Sequence, residues 1–120
     1  MVFAIDFDGT IVEHKFPGIG REIDGRIETL QEIQNLGHEL ILWTCRTGEA
    51  LDDALEWCLV RGLMFDAVMD DVPSIKNHPD YVYSRKPFAD LYVDDRSSAP
   101  GNLSRLLDLM KNERTEGLDK

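Results

Sequence analysis

The stretch that decides the fold is VFAIDFDGT, residues 2–10 of the chain. Its first four residues are apolar and β-prone, which predicts a buried strand, and two acids follow at Asp6 and Asp8. Side chains two residues apart on an extended backbone point to the same side, so the two carboxylates would crowd one small volume. Like charges this close repel each other unless a cation joins them. Gly9 permits a tight turn after the pair. We therefore expect a metal ion, a lysine or both at this position.

The composition sets broad limits on what the protein does. The chain has 120 residues, a net charge of -10, 42% hydrophobic residues and 30% charged residues, which is ordinary for a soluble globular protein. One domain is expected, over residues 1–111, with a frayed polar tail at 112–120. The acidic charge disfavours broad contact with nucleic acid or anionic lipid. Two cysteines and the lack of a signal-like or membrane-spanning segment predict a reduced, cytoplasmic setting.

Strand-like and helical segments alternate along the chain. Apolar runs predict strands at residues 2–5, 40–43, 65–69 and 91–93, and helical spacing predicts helices at about 24–36, 49–61 and 102–111. Residues 72–85 are expected to form a loop with a short β-prone piece at 81–83, preceded by two loop acids at 70–71. Strands that are apolar throughout are typical of a parallel sheet covered on both faces. We therefore predict an α/β fold, a doubly wound three-layer sandwich with a mostly parallel central sheet.

Polar side chains stand where these strands end. They are Asp6 and Asp8 after the first strand, Thr44 after the second, and Asp94 and Asp95 after the fourth, with Lys86 just before the fourth. In a doubly wound sheet, ligands bind outside the carboxyl ends of the strands, so these groups would meet at one edge. Carboxylates without clustered Cys or His favour Mg²⁺ over zinc, and phosphate oxygens commonly fill its open positions. One carboxylate could then attack phosphorus and the other transfer protons.

On these residues the chain resembles the haloacid dehalogenase (HAD) superfamily of phosphohydrolases. Its DxDGT motif is similar to residues 6–10, and its strand ending in Thr is similar to residues 40–44. Its lysine corresponds to Lys86, which is followed by Pro87, and its acidic pair corresponds to residues 94–95. The four motifs occur in the family's order, and the resemblance spans residues 2 to about 110.

The resemblance implies a Mg²⁺-dependent phosphomonoesterase that works through an aspartyl-phosphate. Asp6 would be the nucleophile and Asp8 the general acid and base. Thr44 would hold a phosphoryl oxygen, and Lys86 would neutralise the phosphate and the nucleophile. The backbone N–H of Cys45 is a further candidate for a phosphoryl oxygen.

The same resemblance implies the metal ligands. The Asp6 carboxylate and the Asp8 carbonyl would bind Mg²⁺, with Asp95 preferred to Asp94 from the second acidic pair. The remaining candidates are substrate contacts at Thr10, Arg46 and Arg96, although structural or surface pairing is an equal alternative for the two arginines.

The family inserts its cap domains at two places, and both hold only short loops here. We therefore expect a capless protein with an open site. Such a site suits a bulky substrate or completion by a second subunit of a homo-oligomer. The sequence does not identify the phosphorylated substrate. Sugar phosphates, nucleotides, phosphorylated polysaccharide precursors and nucleic-acid ends are all compatible with it. Nucleic acid is disfavoured by the charge, although Asp-Asp-Arg at residues 94–96 also resembles the phosphatase part of polynucleotide kinases.

Two functions of other classes compete with catalysis. A response-regulator receiver domain has an acid pair, a phospho-accepting Asp, a Thr and a Lys on a doubly wound fold, but in a different order along the chain. A non-catalytic relative that only binds its ligand is the other alternative, and intact motifs do not favour it.

Overall fold

A computed structural model describes residues 1–94 of the chain. Strands and helices alternate through these residues: β1 (Val2–Ile5), α1 (Arg26–Asn35), β2 (Glu39–Leu42), α2 (Gly48–Val60), β3 (Ala67–Val68), α3 (Pro73–Lys76) and β4 (Leu91–Val93). The predicted α/β alternation is therefore confirmed over this part of the chain. No helix within it is long and apolar enough to cross a membrane. The predicted helix at 102–111, the tail, Asp95 and Arg96 lie outside the described residues.

The strands form one parallel sheet in the order β3-β2-β1-β4. Ile5 of β1 is paired with Leu42 of β2 on one side and with Val93 of β4 on the other. From β1 the chain moves outward to β2 and β3, and it then returns to the opposite side of β1 for β4. The strand order therefore reverses between β1 and β4, and a sheet of this type binds ligands at the carboxyl ends of those two strands.

Alternate residues of β1 enter two different apolar cores. Phe3 and Ile5 share a cluster with the inner faces of α1 and α2. Val2 and Ala4 share a second cluster with Val72, next to α3. Because apolar groups cover both faces of the sheet, all four residues of β1 are buried. This explains why the run is apolar throughout rather than alternating.

The segment between β3 and β4 differs from the sequence-based prediction. The loop predicted over residues 72–85 contains the short helix α3, which begins at Pro73, a residue suited to the first helical position. The β-prone piece at 81–83 forms no strand. β3 covers only residues 67–68 of the strand predicted at 65–69. Just before it, the Asp66 side chain, rather than a backbone carbonyl, accepts the N–H of Leu40 in β2, at 2.7 Å.

Cys58 makes the stability of the fold sensitive to alkaline pH. It is fully buried, and burial raises the pKa of its thiol to about 12. The thiol of the unfolded chain ionises near its ordinary pKa of about 8.5, and its ionisation favours the unfolded state. The free energy of unfolding is therefore unaffected by this thiol below that pH and falls as the pH rises toward the pKa of the folded state. Between pH 8 and pH 10.5, we expect wild type to lose on the order of 2 kcal/mol more unfolding free energy than Cys58→Ala.

Urea unfolding at the two pH values measures this difference. Cys45→Ala is the matched control, because Cys45 is exposed and should keep the wild-type pH dependence. Equal losses in wild type and Cys58→Ala would show that the Cys58 thiol does not cause the effect.

Candidate active site

A cleft of about 400 Å³ lies at the carboxyl edge of the sheet, beside β1 and β4. Five residues that the sequence analysis singled out are among those lining it: Asp6, Thr44, Cys45, Lys86 and Asp94. They come from the ends of three strands and from the loop before β4. The parallel sheet therefore brings sequence-distant groups to one rim, as the position of the strand-order reversal predicts.

Asp6 and Asp94 stand on the two strands that flank the reversal. The N–H of Asp6 donates to the carbonyl of Val93 at 3.0 Å, which continues the pairing of β1 with β4 past the end of the strand. The Oδ1 atom of Asp6 accepts the N–H of Phe7 at 2.7 Å. These bonds fix the backbone and the side chain of Asp6 at the rim of the cleft.

Thr44 and Lys86 are each oriented by neighbouring groups. The Thr44 hydroxyl oxygen accepts the N–H of Arg46 at 3.1 Å, so the hydroxyl hydrogen can still be donated to a ligand. The Lys86 ammonium lies 4.1 Å from the centroid of the Tyr92 ring, a cation–π contact. Burial raises the pKa of the Tyr92 phenol, whose hydroxyl donates to the Pro87 carbonyl. The aromatic ring that Lys86 contacts therefore belongs to a residue that also lines the cleft.

Asp8 does not line the cleft with Asp6, because Arg46 holds its carboxylate. The Arg46 Nε donates to Asp8 Oδ2 at 2.7 Å, and its Nη2 donates to Oδ1 at 2.8 Å. Arg46 is only 1% exposed. The bonds to the Asp8 carboxylate raise the pKa of the guanidinium, against the opposing effect of burial. The crowding of two acids expected from the sequence is thus relieved, since Asp8 has a cation of its own.

The rest of the Arg46 guanidinium joins the loop after β1 to the start of α2. Nη1 donates to the carbonyls of Pro17 and Ala50 at 3.3 and 3.2 Å, and Nη2 donates to that of Gly18 at 2.7 Å. Together with the two bonds to Asp8, these engage all five N–H donors of the side chain. Of the two alternatives for Arg46, the structure places it in a structural pair and not at a substrate contact.

Thr10 is also turned inward. It is buried, its carbonyl accepts the Nε–H of Arg26 at 2.8 Å, and its hydroxyl has no hydrogen-bond partner among the described residues. Gly9 has φ 83°, in the left-handed region that favours glycine, and this conformation starts the turn. In this arrangement Thr10 shapes the loop behind Asp8 and does not reach the cleft as a substrate contact.

Asp71 lies in a loop, as predicted, but it has a structural role that the sequence analysis missed. It is 4% exposed, its Oδ2 accepts the hydroxyl of Tyr81 and its Oδ1 accepts the N–H of Phe88, both at 2.6 Å. The bond to Asp71 raises the pKa of Tyr81 to about 12, so the phenol stays a hydrogen-bond donor. The partners lie 10 and 17 residues away, and no local sequence signal marks them.

The cleft offers the oxygen donors that a hard cation prefers as ligands. Asp6 and Asp94 supply carboxylate oxygens from adjacent strands. Asp8 can offer only its backbone carbonyl, because Arg46 occupies its carboxylate. Within residues 1–94, no group of three or more His, Cys, Asp or Glu side chains is arranged to hold a metal. An oxygen-only donor set completed by water is nevertheless what Mg²⁺ prefers, so the residues fit that ion.

Comparison with known proteins gives one informative relative. No protein-family model and no curated protein matches the chain. A solved structure does match, that of a conserved protein coded by a locus from Bacteroides thetaiotaomicron. It is 45% identical, with a TM-score of 0.80, and the match covers 94% of this chain and 91% of that one. The two proteins therefore share their fold over nearly their whole length.

Replacing Arg46 should destabilise the protein severely. Arg46→Ala leaves the Asp8 carboxylate and three carbonyls without their donors, and loss of one partner of a buried ion pair costs about 3–5 kcal/mol. Arg46→Lys keeps the charge but loses the planar fork, so we expect it to recover only part of that loss. Urea unfolding midpoints at constant pH measure both effects.

The exposed pair between Arg21 and Glu13, at 3.4 Å, provides the control. Arg21→Lys should change the unfolding free energy by less than about 0.5 kcal/mol, because surface ion pairs contribute little. Wild-type stability in Arg46→Lys would mean that a simple positive charge, without the five-donor geometry, is enough.

Proposed function

We propose that this chain, which belongs to the same family as the conserved protein from Bacteroides thetaiotaomicron, is a Mg²⁺-dependent phosphomonoesterase that uses Asp6 as its nucleophile. The observation that carries the proposal is the single cleft that brings together Asp6, Thr44, Lys86 and Asp94. Asp6 would supply the nucleophile, and Asp94 would supply a further oxygen ligand for the metal. Thr44 would donate its hydroxyl hydrogen to a phosphate, and Lys86 would offset the phosphate charge.

We further propose that the fold is of the HAD type, without a cap domain. The strand order β3-β2-β1-β4 and the acidic motif at the end of the central strand β1 support this. Within the described residues, the connection from β1 to α1 holds only a small looped element bridged at Val12 and Glu22. The connection from β3 to β4 holds only α3, a helix of four residues. Neither connection is a folded lid.

The reaction proceeds in two displacements. An Asp6 carboxylate oxygen attacks phosphorus, the bond from phosphorus to the ester oxygen breaks, and the departing alcohol takes a proton that water relays from Asp8, whose side chain is 17% exposed but does not line the cleft. Water then attacks the phosphorus of the aspartyl-phosphate, its proton passes to Asp8 by the same relay, and the bond from phosphorus to Asp6 breaks to release phosphate. The Thr44 hydroxyl and the Cys45 N–H donate to phosphoryl oxygens, and Lys86 offsets their charge.

Mg²⁺ would be held by the carboxylates of Asp6 and Asp94, the carbonyl of Asp8 and Asp95 of the second acidic pair. When bound, the ion would neutralise charge on the phosphate, without which a carboxylate is repelled. The strand order also counts against a receiver domain, because such domains have the order 2-1-3-4-5, in which β1 lies beside β3.

Phosphate release should depend on Asp6 and on the metal. With p-nitrophenyl phosphate, we expect Asp6→Asn to lower kcat by roughly 1,000-fold or more, and excess EDTA to abolish release until Mg²⁺ is restored. Asp70→Asn is the matched control, because Asp70 is an acid that follows β3 by two residues and does not line the cleft. Thermal melting of each variant confirms that it is folded.

Two results would contradict this function. Near-wild-type turnover in Asp6→Asn would exclude Asp6 as the nucleophile. A phosphorylated Asp6 that persists for hours without turnover would instead favour the receiver-like alternative.

A further inference from the structure

A second pocket, of about 450 Å³, adjoins the cleft through a shared residue. Lys86 lines both spaces. The remaining wall of the second pocket comes from the connection between β3 and β4, including Ile75, Tyr81, Val82 and Phe88. A group esterified to a phosphate beside Lys86 therefore has this pocket within reach. The volume falls in the range of small-molecule sites, which is about 300–1,000 Å³.

The wall of this pocket is mainly apolar and faces solvent. Val82 is 82% exposed and Phe88 is 53% exposed. Exposure of large apolar side chains to water is unfavourable, and a ligand that covers them removes this exposure. An apolar cavity next to convergent polar groups is typical of ligand sites. The position suits the part of a substrate that carries no phosphate.

Asp71 forms this pocket in advance of any ligand. Its two carboxylate oxygens hold the Tyr81 hydroxyl and the Phe88 N–H, both at 2.6 Å. Because the Tyr81 hydroxyl is committed to a buried acid, its ring is fixed at the wall. A preformed wall lowers the entropic cost of binding a rigid group.

The polar groups of the pocket select against an anionic alcohol. Asp71 and Asp80 bring negative charge, and Lys86 is already assigned to the phosphate. Nδ1 of His78 accepts the N–H of Asp80 at 3.1 Å, so the neutral ring carries its hydrogen on Nε2, a donor for a neutral acceptor. Arg46 cannot help to bind an anion, since all five of its donors are engaged.

We propose that this pocket binds the alcohol part of the substrate, and that the substrate is a phosphate monoester of an alcohol that bears an aromatic ring and no negative charge. The proposal rests on the proposed function of the cleft, and it supplies the recognition of the leaving group that the sequence motifs leave open. Polyanionic substrates such as nucleic-acid ends are disfavoured by the same arrangement.

The first experiment compares two esters of primary alcohols, benzyl phosphate and glycerol 1-phosphate, under the same Mg²⁺ concentration. Their leaving groups are chemically similar, so a difference in kcat/KM reports recognition of the ring. We expect benzyl phosphate to be favoured by about tenfold or more, as burial of an apolar group at a pocket predicts. Equal kcat/KM values would overturn the proposal while leaving the phosphatase function intact.

The second experiment places the effect in the pocket. Val82→Ser and Phe88→Ala should each lower kcat/KM for benzyl phosphate about three- to tenfold and leave that for glycerol 1-phosphate unchanged. Val60→Ser is the matched control, because Val60 is 76% exposed on α2 and lines neither space. An equal loss on both substrates, or no loss in either pocket variant, would contradict the assignment.

Binding separates the failure of this proposal from the failure of the proposed function. If neither ester releases phosphate, the phosphatase function fails, and calorimetry with benzylphosphonate then tests the pocket by itself. Binding that weakens in Val82→Ser but not in Val60→Ser supports the pocket. Absence of binding to wild type overturns it.

Discussion

The buried pairing of Arg46 with Asp8 is the contact on which the arrangement of the candidate site depends. One guanidinium joins the turn after β1, the loop around Pro17 and Gly18 and the first turn of α2, and it leaves none of its donors unused. It also lies 5.1 Å from the centroids of the Phe7 and Phe16 rings. Burying this cation is tolerable only because every hydrogen bond is made. The loop after β1 is thus fixed by charge and geometry rather than by regular secondary structure.

This pairing also gives the two acids different environments. Two residues apart, Asp6 and Asp8 would repel each other if both faced the same space. Arg46 holds one of them behind the rim, and Asp6 lines the cleft together with Asp94. These environments support the different roles proposed for the two acids.

The sequence predicts the sheet well because its information there is local. Four apolar residues before Asp6 can be satisfied only in a strand covered on both sides, and the polar groups at the strand ends then meet at one edge. The contacts of Arg46 and Asp71 are not predictable in this way. Arg46 reaches an acid 38 residues away, and Asp71 collects partners from a stretch that has no helical or strand periodicity. Long-range hydrogen bonds in irregular segments depend on tertiary geometry, which no residue pattern along the chain encodes.

The location of the Asp71 contacts has a consequence for how such a protein can diversify. Apart from Lys86, the polar groups that line the cleft stand on the ends of β1, β2 and β4, whereas Lys86 and the wall of the adjoining pocket belong to one continuous connection between β3 and β4. The buried carboxylate of Asp71, near the start of that connection, binds the backbone N–H of Phe88 near its end. The two ends of the connection are therefore tied to each other. Substitutions or exchanges within it can alter the shape offered to a ligand while the strand ends keep their positions. Among the described residues, only Lys86 ties the shape of this pocket to the cleft, so the two spaces can vary largely independently of each other.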